Sequence, residues 1–168
     1  MLTAAGVLSQ YRFERSLRFV LFTGEEQGLL GSGAYAVAAR NQGDNIVGVL
    51  NLDMLAWDGV GAPVMQVHTR AASNPSNSND LALAVIFTNA VAAYGLAGDI
   101  APVVKMDSLN ASDHASFWNR SYPALLISED YTADFTPYYH TTNDTLPRLN
   151  LRYFTANVLD IAPGVRGT

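Results

Sequence analysis

The chain has 168 residues, 49% of them hydrophobic, which is enough for a single packed core, and we predict one domain over residues 1–168. A formal net charge of −5 argues against nucleic-acid binding, and no apolar run reaches the ~18 residues needed to cross a membrane. Because cysteine is absent, any metal ion must be held by His, Asp and Glu, and the low content of charged residues, 15%, favours a secreted or periplasmic protein.

Apolar runs that suit buried strands recur along the chain, with helical patterns between them. In chain order, the predicted strands are 18–23, 46–54, 65–70, 102–106 and 123–128. The predicted helices are 28–40, 80–94 and 149–159, and the polar stretch 71–79 is predicted to be a surface loop. In the second of these helices, one face is expected to carry Leu81, Ala84, Val85 and Thr88. This alternation predicts an α/β layered domain that binds ligands beyond the carboxyl ends of its strands.

Carboxylates follow the first two predicted strands. Glu25 and Glu26 enter a turn between Gly24 and Gly28, which would let both side chains address one site. They would equally suit the first turn of a helix, as solvated residues favoured by its dipole. Asp53 ends a strongly apolar strand, where a carboxylate is costly to bury unless it is paired or bound to metal, although an Asx turn is also common there.

Two later segments contain histidine. His140 lies between two tyrosines and a run of hydroxyl and amide residues, but a lone histidine is more often structural than a ligand. Ser112 and Asp113 precede an apolar segment, a pattern that is also typical of a short helix with Ser112 as its N-cap. Taken singly, each segment therefore has a purely structural interpretation.

The order of these segments along the chain favours a functional interpretation over a purely structural one. GEEQG, NLDM, SDHASFW and HTTNDT resemble, in this order, the co-catalytic zinc exopeptidase family that includes bacterial leucine aminopeptidases. Glutaminyl cyclases and glutamate carboxypeptidases are its more distant relatives. The resemblance covers nearly the whole chain and implies a three-layer α/β/α fold around a mixed, mostly parallel sheet. It also implies two zinc ions and removal of N-terminal residues from peptides with a free N-terminus.

The resemblance assigns roles by position. It makes Glu25 the general base, places Glu26 and His140 on one zinc ion, and places Asp53 on the other. Ser112 and Asp113 resemble the family's residues around the metals and on the substrate side. In such a site, two metal ions would lower the pKa of a shared water while a nearby carboxylate takes its proton.

The family pattern also has parts that this sequence lacks. A histidine and a bridging aspartate would precede GEEQG, and His68 and His114 lie downstream of it, where they cannot replace them. Leu109 stands where the family has a tyrosine. We therefore expect an N-terminally incomplete fold that is inactive alone and self-associates through exposed sheet edges. The alternatives are a single-zinc glutaminyl cyclase and a non-catalytic interaction domain of the same fold.

Overall fold

Four strands form one mixed sheet in the computed structural model, which describes residues 1–161. The strands are β1 (Val49–Leu52), β2 (Val64–Thr69), β3 (Ala101–Met106) and β4 (Ala124–Ser128). Their order is β1-β4-β2-β3, with β1 parallel to β4, β2 parallel to β3, and β2 antiparallel to β4. The predicted α/β class with a mixed, mostly parallel sheet is therefore confirmed.

Within residues 1–161 the chain forms five helices. They are α1 (Leu2–Leu8), α2 (Leu30–Asn41), α3 (Asn77–Ala93), α4 (His114–Trp118) and α5 (Leu151–Ile161), with a 3-10 turn at Leu146–Arg148. Among the described residues, none of these helices is long and apolar enough to cross a membrane. The last seven residues of the predicted domain, 162–168, lie outside the described part of the chain.

Strand β4 lies between two separate cores because its side chains alternate between the faces of the sheet. Leu125 and Ile127 pack in a cluster with residues of α3 and α5, including Phe87 and Tyr153. Ala124 belongs to a second cluster, with residues of α2 and α4. Helices thus cover both faces, which gives the three layers that the resemblance implied.

One predicted strand is not a strand in the structure. Residues 18–23 make no ladder with β1, and Leu21 within this run is 68% exposed. Side chains hold the segment instead: Arg18 donates to Asp44, and the Phe22 ring packs edge-on against Tyr35 at 5.6 Å. Its apolar composition was a misleading signal, because strand formation also needs a neighbouring strand in register.

The predicted face of the helix now labelled α3 is correct for Ala84, which is buried, and wrong for Val85. Val85 is 54% exposed, whereas Asp80 is fully buried and shares the inner face with Ala84, Phe87 and Val91. The face is rotated because Asp80 forms a buried ion pair with Arg70, at 2.6 Å between Oδ2 and Nε. Hydrophobicity alone cannot predict a buried polar anchor of this kind.

Candidate functional site

The two glutamates lie in a closed turn before α2. Backbone N–H groups of Gly28 and Leu29 donate to the Glu25 carbonyl at 3.0 and 2.9 Å. Gly31 closes the turn against the preceding segment, where a Cβ atom would lie 2.6 Å from the Thr23 carbonyl oxygen, so only glycine is tolerated. Because α2 begins at Leu30, the interpretation of the glutamates as residues of a first helical turn is wrong.

Glu26 meets His140, which lies 114 positions later in the sequence. The distance between Glu26 Oε1 and His140 Nε2 is 2.8 Å, and more than half of each side chain is exposed. His140 has a left-handed backbone, with φ of 56°, and its ring stacks on Tyr139 at 3.8 Å between centroids. The pair is therefore accessible, and the histidine ring is oriented by its neighbour.

Asp53 is held at the end of β1 by a serine. Its N–H donates to the Ile127 carbonyl at 3.1 Å, which extends the pairing of β1 with β4. Ser112 Oγ donates to Asp53 Oδ2 at 2.7 Å and accepts from Asn51 Nδ2 at 2.7 Å. Ser112 is thus engaged with β1, and Asp113 is the residue that caps α4. The interpretation of Ser112 as an N-cap is wrong.

The electrostatics of Glu25 place these segments close together. Burial raises the pKa of Glu25, and the negative charges of Glu26, Asp53 and Asp113 raise it further, while His140 opposes them. Asp113 Oδ1 is also buried with no hydrogen-bond partner among the described residues. Several carboxylates therefore surround one region, and this concentration of negative charge is a feature that a cation would stabilise.

The donor chemistry at this region suits zinc but supplies only part of a ligand set. Carboxylate and imidazole are common zinc ligands, and Glu26 and His140 bring one of each together at 2.8 Å. Within residues 1–161, however, no group of three or more His, Cys, Asp or Glu side chains is arranged to hold a metal ion. Within the described residues, the structure brings one carboxylate and one imidazole together, Glu26 and His140.

The sequence analysis missed Glu129, which lies directly after β4. It is only 2% exposed, and burial raises the pKa of its carboxyl to about 7. Its Oε2 accepts from the Trp57 N–H at 3.3 Å and its Oε1 from the Thr136 N–H at 3.2 Å. The signal was available, because Glu129 follows an apolar strand in the same way that Asp53 does.

The other two histidines, His68 and His114, lie in the interior of the domain. His68 Nδ1 is 2.9 Å from Asp107 Oδ2, and His114 Nε2 donates to the Leu109 carbonyl at 2.7 Å. Burial lowers the pKa of His68, and it lowers that of His114 to about 4. Both imidazoles are therefore neutral structural groups at pH 7.

Acid should destabilise the chain through His114. The unfolded histidine titrates near 6.5 and the folded one near 4, so the unfolded state binds more protons between these values. The free energy of unfolding should fall by up to about 3 kcal/mol as pH drops through this window. His114→Gln, which keeps a donor for the Leu109 carbonyl, should flatten that slope in urea titrations at a series of pH values. An unchanged slope would contradict the assignment.

Comparison with known proteins gives consistent results. A sequence model described as peptidase family M28 matches residues 1–162. A protein of Arthroderma otae named a probable leucine aminopeptidase is 27% identical over 139 residues, which cover 82% of this chain and 35% of that protein. The solved structure of the Legionella pneumophila LapA aminopeptidase has a TM-score of 0.78 at 26% identity, and the match covers 96% of this chain and 43% of the LapA chain. The structure of an aminopeptidase from Aneurinibacillus sp. strain AM-1 has a TM-score of 0.69 at 29% identity, and the match covers 96% of this chain and 35% of that aminopeptidase chain.

The matches cover only part of each relative. This chain spans 35%, 36% and 38% of the lengths of three of the fungal proteins that it resembles. The fold is shared by the structure of a zinc aminopeptidase from Bacillus subtilis, which has a TM-score of 0.75 at 22% identity. The match covers 96% of this chain and 38% of the Bacillus subtilis chain.

Proposed function

Since the chain belongs to peptidase family M28, we propose that it forms part of a zinc-dependent aminopeptidase centre. The observation that carries this proposal is the convergence of Glu26 and His140, at 2.8 Å, beside the perturbed carboxyl of Glu25. The names of the relatives, leucine aminopeptidases and zinc metalloproteases, support the same chemistry. They do not favour the glutaminyl cyclase alternative.

In this proposal, Glu26 and His140 bind one zinc ion and Asp53 binds a second. Zinc, when bound, supplies a water of lowered pKa and polarises the scissile carbonyl. Ser112 fixes the orientation of the Asp53 carboxylate through its hydrogen bond to Oδ2. A serine in this position reduces the freedom of the ligand, which is a common contribution of groups outside the coordination sphere.

Glu25 is the proposed general base. Its pKa is raised by burial and by the neighbouring carboxylates, which makes it a better proton acceptor near neutral pH than an exposed glutamate. The same carboxyl can return the proton to the leaving amine. An exopeptidase acting at the N-terminus also needs to hold a free ammonium group, and we propose Asp113, with its unpartnered buried oxygen, for that role.

The edges of the sheet provide a proposed route to self-association. Within the described residues, β1 and β3 each pair on one side only. Apolar residues near the β1 edge are exposed, among them Phe19, Leu21 and Leu50. Unpaired edges with exposed apolar side chains are prone to pair with another chain. We therefore propose that the isolated chain forms oligomers.

Zinc affinity tests the proposed centre directly. Glu26→Ala and His140→Ala each remove one inner ligand, so each should weaken zinc binding by about 10-fold or more, as measured by competition with a chromophoric chelator. Tyr138→Phe, a nearby change that leaves both ligands in place, is the control. In a longer protein that supplies the remaining ligands, the same two variants should also lose hydrolysis of leucine p-nitroanilide. Wild-type zinc affinity in both ligand variants would contradict the proposal.

A further inference from the structure

We propose that Glu129 is a positioning residue that holds together the two loops from which Asp53 and His140 emerge. The inference rests on the proposed function, because it concerns the placement of the proposed zinc ligands. The first loop, residues 53–60, is called the Asp53 loop, and the second, residues 129–140, is called the His140 loop. Glu129 begins the second loop and contacts both.

Three hydrogen bonds attach the Glu129 N–H and carboxylate to the two loops. Its backbone N–H donates to the Met54 carbonyl at 2.7 Å, next to the proposed ligand Asp53. Its Oε2 accepts from the Trp57 N–H at 3.3 Å, further along the Asp53 loop. Its Oε1 accepts from the Thr136 N–H at 3.2 Å, within the His140 loop. One buried carboxylate therefore serves a backbone donor in each loop.

Short connections lead from these contacts to the proposed ligands. Thr136 Oγ1 accepts from the Tyr138 N–H at 3.3 Å, and the Thr136 carbonyl accepts from the Tyr139 N–H at 3.4 Å. Tyr139 in turn stacks on the ring of His140. In the Asp53 loop, Met54, whose carbonyl accepts from the Glu129 N–H, immediately follows Asp53. Tyr138 also packs edge-on against Trp57, with centroids 5.5 Å apart.

A second carboxylate supports the same loop pair from its outer end. Asp134, in the His140 loop, accepts from the N–H groups of Gly59 and Val60 at 2.6 and 2.9 Å. It also accepts from Trp57 Nε1 at 3.0 Å. Asp134 is more exposed than Glu129, and its backbone contacts, at Gly59 and Val60, lie farther from Asp53 along the chain than that of Glu129 at Trp57. The buried inner connection is therefore the one placed to set the position of the ligands.

The chemistry of the connection requires two acceptors. A carboxylate accepts hydrogen bonds at both oxygens, whereas a glutamine of the same shape accepts at one and donates at the other. In Glu129→Gln, an amide group would face either the Trp57 or the Thr136 N–H, and that buried donor would lose its partner. The substitution therefore weakens the connection that holds the two loops against each other, without opening a cavity.

Zinc binding by the full 168-residue chain provides the first test. Groups that orient metal ligands typically contribute about 10- to 100-fold to affinity, and we expect a loss of that size in Glu129→Gln. Tyr153→Phe is the matched control, because it removes one buried hydrogen bond, from the Tyr153 hydroxyl to the Val64 carbonyl at 2.8 Å, between residues that belong to neither loop. It should lower the free energy of unfolding in urea but retain wild-type zinc affinity.

Amide hydrogen exchange of the metal-free chain provides the second test. Glu129→Gln should speed exchange across both the Asp53 loop and the His140 loop and leave β2 and α3 protected, whereas Tyr153→Phe should leave both loops protected. Wild-type loop protection in Glu129→Gln would overturn the inference, as would an equal loss of zinc affinity in Tyr153→Phe. A wild-type chain that binds no zinc would contradict the proposed function, while the exchange result would still decide the coupling of the loops.

Discussion

In a longer protein that also supplies the histidine and bridging aspartate of the family pattern, Glu25→Gln should lower kcat for leucine p-nitroanilide by about 10²- to 10⁴-fold, because an amide cannot accept the proton of the attacking water. Zinc content should not fall. The charge of Glu25 lies near Glu26, Asp53 and Asp113, which together raise its pKa. Removing that charge relieves repulsion among the remaining carboxylates and leaves the proposed ligands intact.

Two measurements separate this role from a structural one. Metal analysis after dialysis should give the wild-type zinc content for Glu25→Gln, in contrast to Glu26→Ala. Gln27→Ala changes an exposed residue of the same turn and should retain wild-type kcat. Near-normal turnover in Glu25→Gln with full zinc content would exclude Glu25 as the base and point to another carboxylate of the cluster.

Strand β4 shows what local sequence determines. Its five residues are all buried, and the apolar run 123–128 predicted the strand to within one residue. The run 18–23 is equally apolar, yet it forms no ladder. The difference lies in partners: β4 has β1 on one side and β2 on the other, whereas residues 18–23 have no neighbouring strand in the described structure. A sequence pattern records composition but not the presence of a pairing partner.

The candidate site also depends on contacts between residues far apart in the sequence, which local sequence patterns do not predict. Nothing local relates Glu26 to His140, and only the resemblance to a zinc exopeptidase family placed them on one ion. The structure brings their atoms to 2.8 Å. Glu129 carries no recognisable motif, and its contacts with Trp57 and Thr136 exist only after two loops have folded against each other. Its position after an apolar strand could have marked Glu129 as a candidate, but the sequence does not show which backbone groups it contacts.

Asp80→Asn should lower the free energy of unfolding by about 3 to 5 kcal/mol, because it leaves the buried guanidinium of Arg70 without its counter-ion. Both side chains are buried, and Asp80 Oδ1 and Oδ2 accept from Arg70 at 2.7 and 2.6 Å. Asp80 Oδ1 also accepts from the Ala124 N–H at 3.1 Å, at the start of β4. One carboxylate therefore connects α3 to the end of β2 and the beginning of β4.

Urea denaturation of the variant and of an exposed-pair control would measure this effect. Arg152→Gln removes the ion pair with Asp99, and its side chain is 83% exposed, so the free energy of unfolding should change little. If Asp80→Asn lowers the free energy of unfolding as little as this control does, the Arg70 guanidinium must find water or another acceptor in the variant.

The double variant Arg70→Met, Asp80→Leu distinguishes loss of charge from loss of hydrogen bonds. Replacing both members of a buried ion pair by apolar residues is often neutral, because neither charge remains uncompensated. Here the backbone N–H groups of Arg70 and Ala124 would still lose the acceptor that Asp80 provides, and the Tyr122 carbonyl would lose its donor. We therefore expect the double variant to recover only part of the stability lost in Asp80→Asn. Full recovery would show that these backbone groups find other partners.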